Sequence, residues 1–515
     1  MTAADIPSLM KRAIEQFVAG HAPAAEELFL QVIHEEPLNA GAHQFLGLLA
    51  YAAGRLPQAA AYMERSTELE PGNPGWYAQY GDVRQRMGER EKAGALYLKA
   101  LELDPVNVQA AAGLAAMLVE QSLLAQAEAI LKGPLEAFPE DPQLLSWTGI
   151  IASRRGDFAA AAACYERAVK EAPGDPKYLA CLGNCYKDLG RLEEAKAAYA
   201  ESLRIMPNVP MTRLNYAITL LLNGEFEPGW NEFEARPPAI AARRNNYQRP
   251  FWNGERVESL LLWAEQGFGD VIQFVRYAPV LMHAGVRVCL AVHPGLVELL
   301  QVVAGKDNVF SATGPVPLCD AQQLLLSLPR IFKTNLQNIP RTVPYLRADE
   351  ARRKHFGELM AGDAAKLKVG IAWSGRATHT NDMNRSLDPA LFARLADVPG
   401  VSFYSVQIGA RTRPPADFPL HDLTGHVSNF ADTAGLVSQL DLVISVDTSV
   451  VHLAGALARP VWVLLPRIAD WRWMMHRTDS PWYPTMRLYR QVAAGDWTLP
   501  FQQVKEDLIA LARGA

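Results

Sequence analysis

Residues able to do chemistry collect where apolar runs end. In ISVDTSVVHLAGALARPVWVLLP, residues 444–466, an apolar run ends in Ser445, Val446, Asp447, Thr448 and Ser449. A small-sided helix carrying His452 follows, and a second run, Val461–Leu465, stops at Pro466. An acid, two hydroxyls and a histidine therefore share the mouth of one helix. Exposed backbone N–H groups and the positive helix end favour a diphosphate there. A carboxylate beside a phosphate makes sense once a sugar is attached, because Asp447 can accept hydrogen bonds from sugar hydroxyls; it can equally cap the helix. His452 lies one turn inside, on the face shared with Thr448 and Ser449, as a donor-side residue or as a buried packing residue.

Two further stretches have the same form. In WAEQGFGDVIQFVRYAP, residues 263–279, Gly267 and Gly269 allow a tight turn after a strand, and Asp270 opens a helix, either as its cap or as a carboxylate facing a cleft. In IAWSGRATHTNDMNRSLDP, residues 371–389, a strand runs into Ser374, Gly375 and Arg376. Arg376 and Arg385 can each pair with a phosphate or carboxylate and Ser386 can add a hydrogen bond, unless this is an ordinary surface loop. Gln407, in SVQIG, closes another apolar run. A glycosyl donor leaves as a nucleotide phosphate, and preorganised N–H groups and arginines stabilise the charge that grows on it. A facing carboxylate can serve as base for the acceptor hydroxyl. The chain holds no D-x-D motif. Fixed protein charges, with no metal and no cofactor beyond a nucleotide-sugar co-substrate, are expected to carry the leaving group.

Alternating strands and helices must position these residues. Strand-like runs fall at Ser259–Ala264, Val286–Ala291, Ala321–Leu326, Lys368–Trp373, Ser402–Gln407, Leu442–Ser445 and Val461–Leu465, with a polar helical stretch at Asp349–Ala365. That rhythm predicts parallel sheets in two Rossmann-like halves, 256–362 and 363–515, with ligands beyond the carboxyl ends of the strands. Trp471, Trp473, Trp482 and Tyr483 stack on a base, close the cleft or pack against the sheet, and a last helix, Phe501–Arg513, is expected to cross back to the first half. A basic, polar connector, 236–255, precedes them.

Residues 1–235 obey a different rule. Pro37, Pro71, Pro105, Pro139, Pro173 and Pro207 are each 34 residues apart. Gly20, Gly54, Gly88, Gly156, Gly190 and Gly224 keep the step, with Ser122 in the one gap, as do Ala25, Ala59, Ala93, Ala127, Ala161 and Ala195. Glycine suits the turn between two helices, alanine lets them approach, proline ends the second helix, and the Asn or Asp two residues on caps the next. This period resembles the tetratricopeptide repeat (TPR), a helix pair stacked into a superhelix. Six clear repeats run to 207, and a decayed seventh closes on GEFEPGW. The resemblance implies a concave groove for a peptide or protein; the alternative is a scaffold or homo-oligomerising arm. Trp76, Tyr77, Tyr80 and Trp147 line that groove or pack between helices.

Fifty Lys and Arg against 55 Asp and Glu give a net charge of −5, which argues against a general nucleic-acid or membrane-surface binder. No apolar run reaches the ~18 residues that span a bilayer. The first residues lack a signal-peptide core, and the five cysteines form no metal or redox pattern, so the expected compartment is the cytoplasm.

The GD-x-I of GFGDVIQF and D-T-S-x-x-H-L-A-G-A-L-x-x-P-V-W resemble GT-B glycosyltransferases of the heptosyltransferase type, over roughly 256–490. TPR repeats fused to such a half resemble O-GlcNAc transferase and bacterial TPR-type flagellin glycosyltransferases, some of which use CMP-activated nonulosonic acids. The expected fold is thus multidomain: an all-α TPR superhelix, then an α/β GT-B fold of two Rossmann-like domains. The resemblance implies an inverting, metal-independent protein O-glycosyltransferase whose TPR arm recruits a polypeptide, flagellin suspected. It implies Asp270 as general base, Asp447 at the donor sugar, Thr448 and Ser449 on the diphosphate side, and His452 near the donor. Where many relatives carry a lysine this chain has Ile408. Arg376 or Arg385 is expected to supply that charge. A transferase acting on a lipid or polysaccharide acceptor, and a non-catalytic TPR adaptor with a decayed GT-B half, are the competing readings.

Overall fold

The computed structural model describes residues 6–236, 247–375, 382–409, 413–415 and 417–514, in two compact units, Met1–Pro207 and Asn208–Ala515. Arg376 and half of the expected connector, 237–246, lie outside the described residues.

The first unit contains twelve described helices, from Ile6–Val18 to Leu192–Ile205. The 34-residue step has a conformational cause. At every hairpin turn the chain enters the left-handed region, at Gly20 (φ 78°), Gly54 (73°), Gly88 (80°), Gly156 (81°) and Gly190 (78°), and Ser122 adopts it too, at 62°. Glycine has no Cβ to clash there. The periodic alanines Ala25, Ala59, Ala93, Ala127, Ala161 and Ala195 are fully buried at the helix crossings. Asn39, Asn107, Asp141 and Asp175 accept hydrogen bonds from backbone N–H groups in the first turn of the next helix, whereas Asn73 makes no such side-chain bond. A second glycine series went unread in the sequence. A Cβ on Gly81, Gly149 or Gly183 would meet the ring of Tyr97, Tyr165 or Tyr199 within 3 Å, so each glycine gives a tyrosine of the partner helix its place. Of the aromatics expected in the groove, Trp147 lines a concavity of about 410 Å³, while Tyr80 is buried between helices.

The second unit opens with a helical hairpin, Pro210–Leu222 and Phe226–Phe233, the expected seventh repeat. GEFEPGW explains why it groups with the α/β region. Trp230 is buried, donates its indole N–H to the Thr334 carbonyl at 2.9 Å, and stands edge-on to Trp471 with ring centres 5.2 Å apart.

Two parallel sheets follow. Strands β1 (Ser259–Trp263), β2 (Arg287–Val292), β3 (Val309–Ser311) and β4 (Ala321–Leu324) lie in the order β3-β2-β1-β4. Strands β5 (Leu367–Ala372), β6 (Val401–Ser405), β7 (Leu420–His421), β8 (Leu442–Val446), β9 (Val461–Leu465) and β10 (Met486–Arg490) lie in the order β10-β9-β8-β5-β6-β7. Every residue of β1, β8 and β9 is buried, as expected for parallel strands covered on both faces. In each sheet the chain walks outward from its first strand and then returns to that strand's other side. The order therefore reverses between β1 and β4, and again between β5 and β8. Beyond the carboxyl ends at such a reversal the adjoining loops diverge and leave a crevice.

The sequence pattern missed β3, β7 and β10, which are short or mix exposed with buried residues. The helix expected over Asp349–Ala365 is Glu350–Leu359, capped by the Asp349 side chain on Arg352 N–H. The last helix, Thr498–Gly514, does not cross back. Its stripe of Phe501, Val504, Leu508 and Ala512 enters the core of the second sheet beside Phe392 and Tyr489, and Asp507 accepts from the Tyr489 hydroxyl at 2.8 Å. Trp471, Trp473, Trp482 and Tyr483 are all buried, so they pack and do not await a base.

Candidate functional site

The candidate residues converge on the reversal between β5 and β8. Gln407, past the end of β6, accepts from the backbone N–H groups of Trp373 at 3.0 Å and Ser374 at 2.9 Å, which fixes the loop leaving β5. Gly375 N–H donates to Ser386 Oγ at 3.1 Å, and that hydroxyl donates to Asp382 at 2.9 Å. A Cβ on Gly375 would land inside the Arg385 guanidinium, so only glycine lets the arginine lie flat on this loop. Arg385 then reaches the Asp447 carbonyl at 3.3 Å, tying the β5 loop to the β8 loop. Thr448, extended at φ −139°, is the N-cap of helix Ser449–Ala456, and its hydroxyl lies 3.3 Å from Ser445 Oγ. Gln407 and Ser386 thus spend their bonds holding the loops, while Arg385, Asp447, Thr448 and Ser449 gather half-buried beyond the carboxyl ends of β5 and β8.

The first half supplies the facing wall. The turn after β1 is made by Gln266, left-handed at φ 59°, and not by the glycines expected to make it; Gly267 is extended. Helix Phe268–Phe274 begins two residues before Asp270, whose Oδ2 accepts from Gly267 N–H at 2.8 Å. Gly269 has a different reason. Its Cβ would sit 2.8 Å from His452 Cδ2 and 3.5 Å from Ser449 Cα, so glycine lets this helix touch helix Ser449–Ala456. Gly269→Ala is expected to push the two apart and cost about 1–3 kcal/mol, read as a lower denaturant midpoint by tryptophan fluorescence. That probe reports on the second unit, because of 11 tryptophans only Trp76 and Trp147 lie in the first.

One side chain that the sequence reading missed organises the charges. Arg472, in DWRW, is buried and donates to Asp270 Oδ1, to Asp470 Oδ1 at 2.8 Å and to Gln273 Oε1 at 2.5 Å. Its charge also acts on Asp447. The signal was an acid and a base flanking and interrupting tryptophans: charges inside so apolar a run must be buried and paired. Arg276 is a second missed cross-link, donating to the Trp482 carbonyl at 2.7 Å and to the Tyr345 hydroxyl at 3.0 Å.

His452 is 5 % exposed and stacks on Trp473. Burial, with the Arg472 and Arg276 charges, holds its pKa well below the ordinary value, so the ring is neutral at physiological pH. Its Nδ1 lies 3.0 Å from the Tyr483 hydroxyl. Burial keeps that phenol protonated and able to donate to Nδ1, and Nε2 lies 4.0 Å from Asp447. Burial and then the Asp470 carboxylate push the Asp447 carboxyl up to about 6, against the Trp473 indole N–H, Arg472 and Arg385.

The sign of the pH effect follows. The folded chain holds the Asp447 proton more firmly than an ordinary carboxyl at 3.8. Its contribution to stability is fully present below pH ~4 and is lost as pH rises through ~6, a loss of about 2–3 kcal/mol. Asp447→Asn is expected to flatten that slope and to unfold at higher urea than the parent at pH 8, with the difference gone at pH 4. Among the described residues no three His, Cys, Asp or Glu side chains are grouped to hold a metal ion, and no helix is long and apolar enough to cross a membrane.

The architecture is a helical repeat array followed by an α/β region of two parallel sheets. Residues 10–74, 81–142 and 148–210 match the tetratricopeptide repeat family model, so the array is a TPR array. The chain is 24 % identical over 323 residues to Protein FlbA of Caulobacter vibrioides, covering 56 % of this chain and 53 % of FlbA. It thus matches only about half the length of that relative. Among solved structures, the chain is similar to the APC/C hetero-tetramer Cut9–Hcn1 (17 % identity, TM-score 0.40, 45 % of this chain and 46 % of that one). It is also similar to a tetratricopeptide repeat protein from Parabacteroides merdae (18 %, TM-score 0.38, 47 % and 94 %).

Proposed function

We propose that this chain is a metal-independent, inverting glycosyltransferase of the GT-B type that moves a sugar from a nucleotide-activated donor to a polypeptide held by the TPR arm. The observation that carries this is the meeting of Asp447, Arg385 and His452 at the reversal of the second sheet with Asp270 of the first half, which Arg472 pairs with while its charge acts on Asp447. Arg385 and the amino end of helix Ser449–Ala456 take up charge on the departing phosphate. Asp447 accepts from sugar hydroxyls, and neutral His452 offers Nε2–H beside it. Asp270 removes the acceptor proton. Its two oxygens already accept from Arg472 and Gly267, yet each keeps a second lone pair for the incoming hydroxyl. The new C–O bond forms as the bond to phosphate breaks, and the proton ends on Asp270.

Flagellin and a CMP-nonulosonic acid are the acceptor and donor to test first, on the strength of the resemblance alone. Deleting residues 1–207, which keeps the hairpin that holds Trp230, is expected to abolish transfer to polypeptide while donor hydrolysis continues. Transfer to polypeptide undiminished by the deletion would contradict recruitment by the array. Loss of both activities in a folded fragment would contradict the division of labour.

A further inference from the structure

Three successive repeats of the array share one concavity of about 410 Å³. Asp82 and Gln85 come from helix Pro74–Arg86, Gln109 from helix Val108–Glu120, and Gln143 and Trp147 from helix Pro142–Arg154. Tyr97, buried on helix Arg90–Leu103, supports them from beneath. A Cβ on Gly113 would meet its ring within 3 Å, as one on Gly81 would, so two glycines clear the way for that ring. The Tyr97 hydroxyl thereby reaches Asp82 Oδ1 and donates to it at 2.6 Å, while Gln109 Nε2 donates to Asp82 Oδ2 at 2.6 Å. Gln85 Oε1 lies 2.7 Å from the same hydroxyl, so one hydrogen faces two acceptors.

Charge at this place is unbalanced. Among the described residues no Lys, Arg or His pairs with Asp82. Its carboxyl is pushed up by burial, and the hydrogen bonds from Tyr97 and Gln109 offset only part of that. The lining holds this one carboxylate and no basic group. Each Asp82 oxygen keeps a second lone pair for a further donor. A lone carboxylate in a concave, weakly screened place attracts a cation and repels an anion, and a neutral ligand leaves its charge unmet. An ammonium or a guanidinium brings several N–H donors, no acceptor and the missing charge. Trp147, half-buried on the third of these helices, adds an indole against which the stem of a Lys or the plane of an Arg can lie. We propose that this concavity seats a basic side chain, Lys or Arg, of a polypeptide. In the transferase reading, on which only this role rests, that polypeptide is the acceptor and the basic residue is what the array selects.

The test is saturation-transfer NMR on the full chain with capped nonapeptides of Gly and Ser, each carrying one central Arg, Lys, norleucine or Glu. The Arg or the Lys peptide is expected to bind with millimolar Kd, about tenfold tighter than the norleucine and Glu peptides. Asp82→Asn is expected to weaken that binding about tenfold, with near-ultraviolet circular dichroism unchanged. Gln143 is exposed, so Gln143→Arg leaves the fold alone; by placing a cation in the concavity it is expected to weaken binding about fivefold or more. No preference for a basic peptide at tens of millimolar would overturn the proposal. So would a preference that survives in either variant, since that is general attraction to a chain of net charge −5. Nucleotide-sugar binding measured beside it separates the two ideas. Basic-peptide binding lost in both variants while no nucleotide sugar binds leaves the docking site and removes the transferase; nucleotide-sugar binding with no basic preference does the reverse.

Discussion

Asp270→Ala is expected to lower sugar transfer about a thousandfold while affinity for the nucleotide sugar stays within about threefold, because a positioned base contributes of that order to the rate. The alanine variant alone cannot separate chemistry from architecture, since the Asp270 carboxylate also holds Gly267 N–H and Arg472. Asp270→Asn does. Its amide oxygen can still accept from Gly267 and Arg472 keeps Asp470 and Gln273, so the variant loses the proton-accepting charge and the one bond from Arg472 while the loop stays held. Both variants are expected to be equally slow at saturating donor. An asparagine variant with near-parental turnover would assign Asp270 to the loop and not to the reaction. Mass spectrometry of the modified acceptor over time reads the difference.

Arg472→Met is expected to destabilise residues 208–515 by about 3–5 kcal/mol, the usual consequence of stranding a buried ionic partner. Arg472 faces Asp270, Asp470 and Asp447 together, so its loss leaves three carboxylates in mutual repulsion. Lysine is expected to restore less than half, because one ammonium cannot reproduce a fork that meets Asp270, Asp470 and Gln273 at once. The loss should be smaller at pH 5 than at pH 8, since protonation of Asp447, whose carboxyl titrates near 6, relieves part of the repulsion. Urea unfolding followed by tryptophan fluorescence at the two pH values measures it. A loss under about 1 kcal/mol at pH 8 would mean that Arg472 is not the hub.

What the sequence disclosed follows from how local each constraint is. The TPR turns were legible down to Ser122, because a left-handed residue every 34 positions leaves a mark in residue type at each turn. The central strands were legible because both faces are buried and the runs are continuously apolar. β7 is two residues long and β10 alternates, and neither pattern stands out from a loop. Asp447, Thr448, Ser449 and His452 could be placed together since one strand and one helix fix them. Arg472, Arg276 and Tyr483 could not, because their partners lie on the other half or on distant loops, and no spacing in the chain encodes those contacts. Gly269 was noticed for a turn it does not make; its purpose is the approach of His452, a partner over 180 residues away that only the fold brings near.

The central claim is that the crevice at β5 and β8 holds a nucleotide-activated sugar. Titration calorimetry with CMP-, UDP-, GDP- and ADP-linked sugars, on the parent and on Arg385→Ala, tests it most directly. The expected result is micromolar binding of one nucleotide class, weakened about tenfold or more by the substitution, since one charge-assisted contact to a phosphate is worth about 1.5–3 kcal/mol. Heat from none of the four classes, or binding that ignores Arg385, would contradict it.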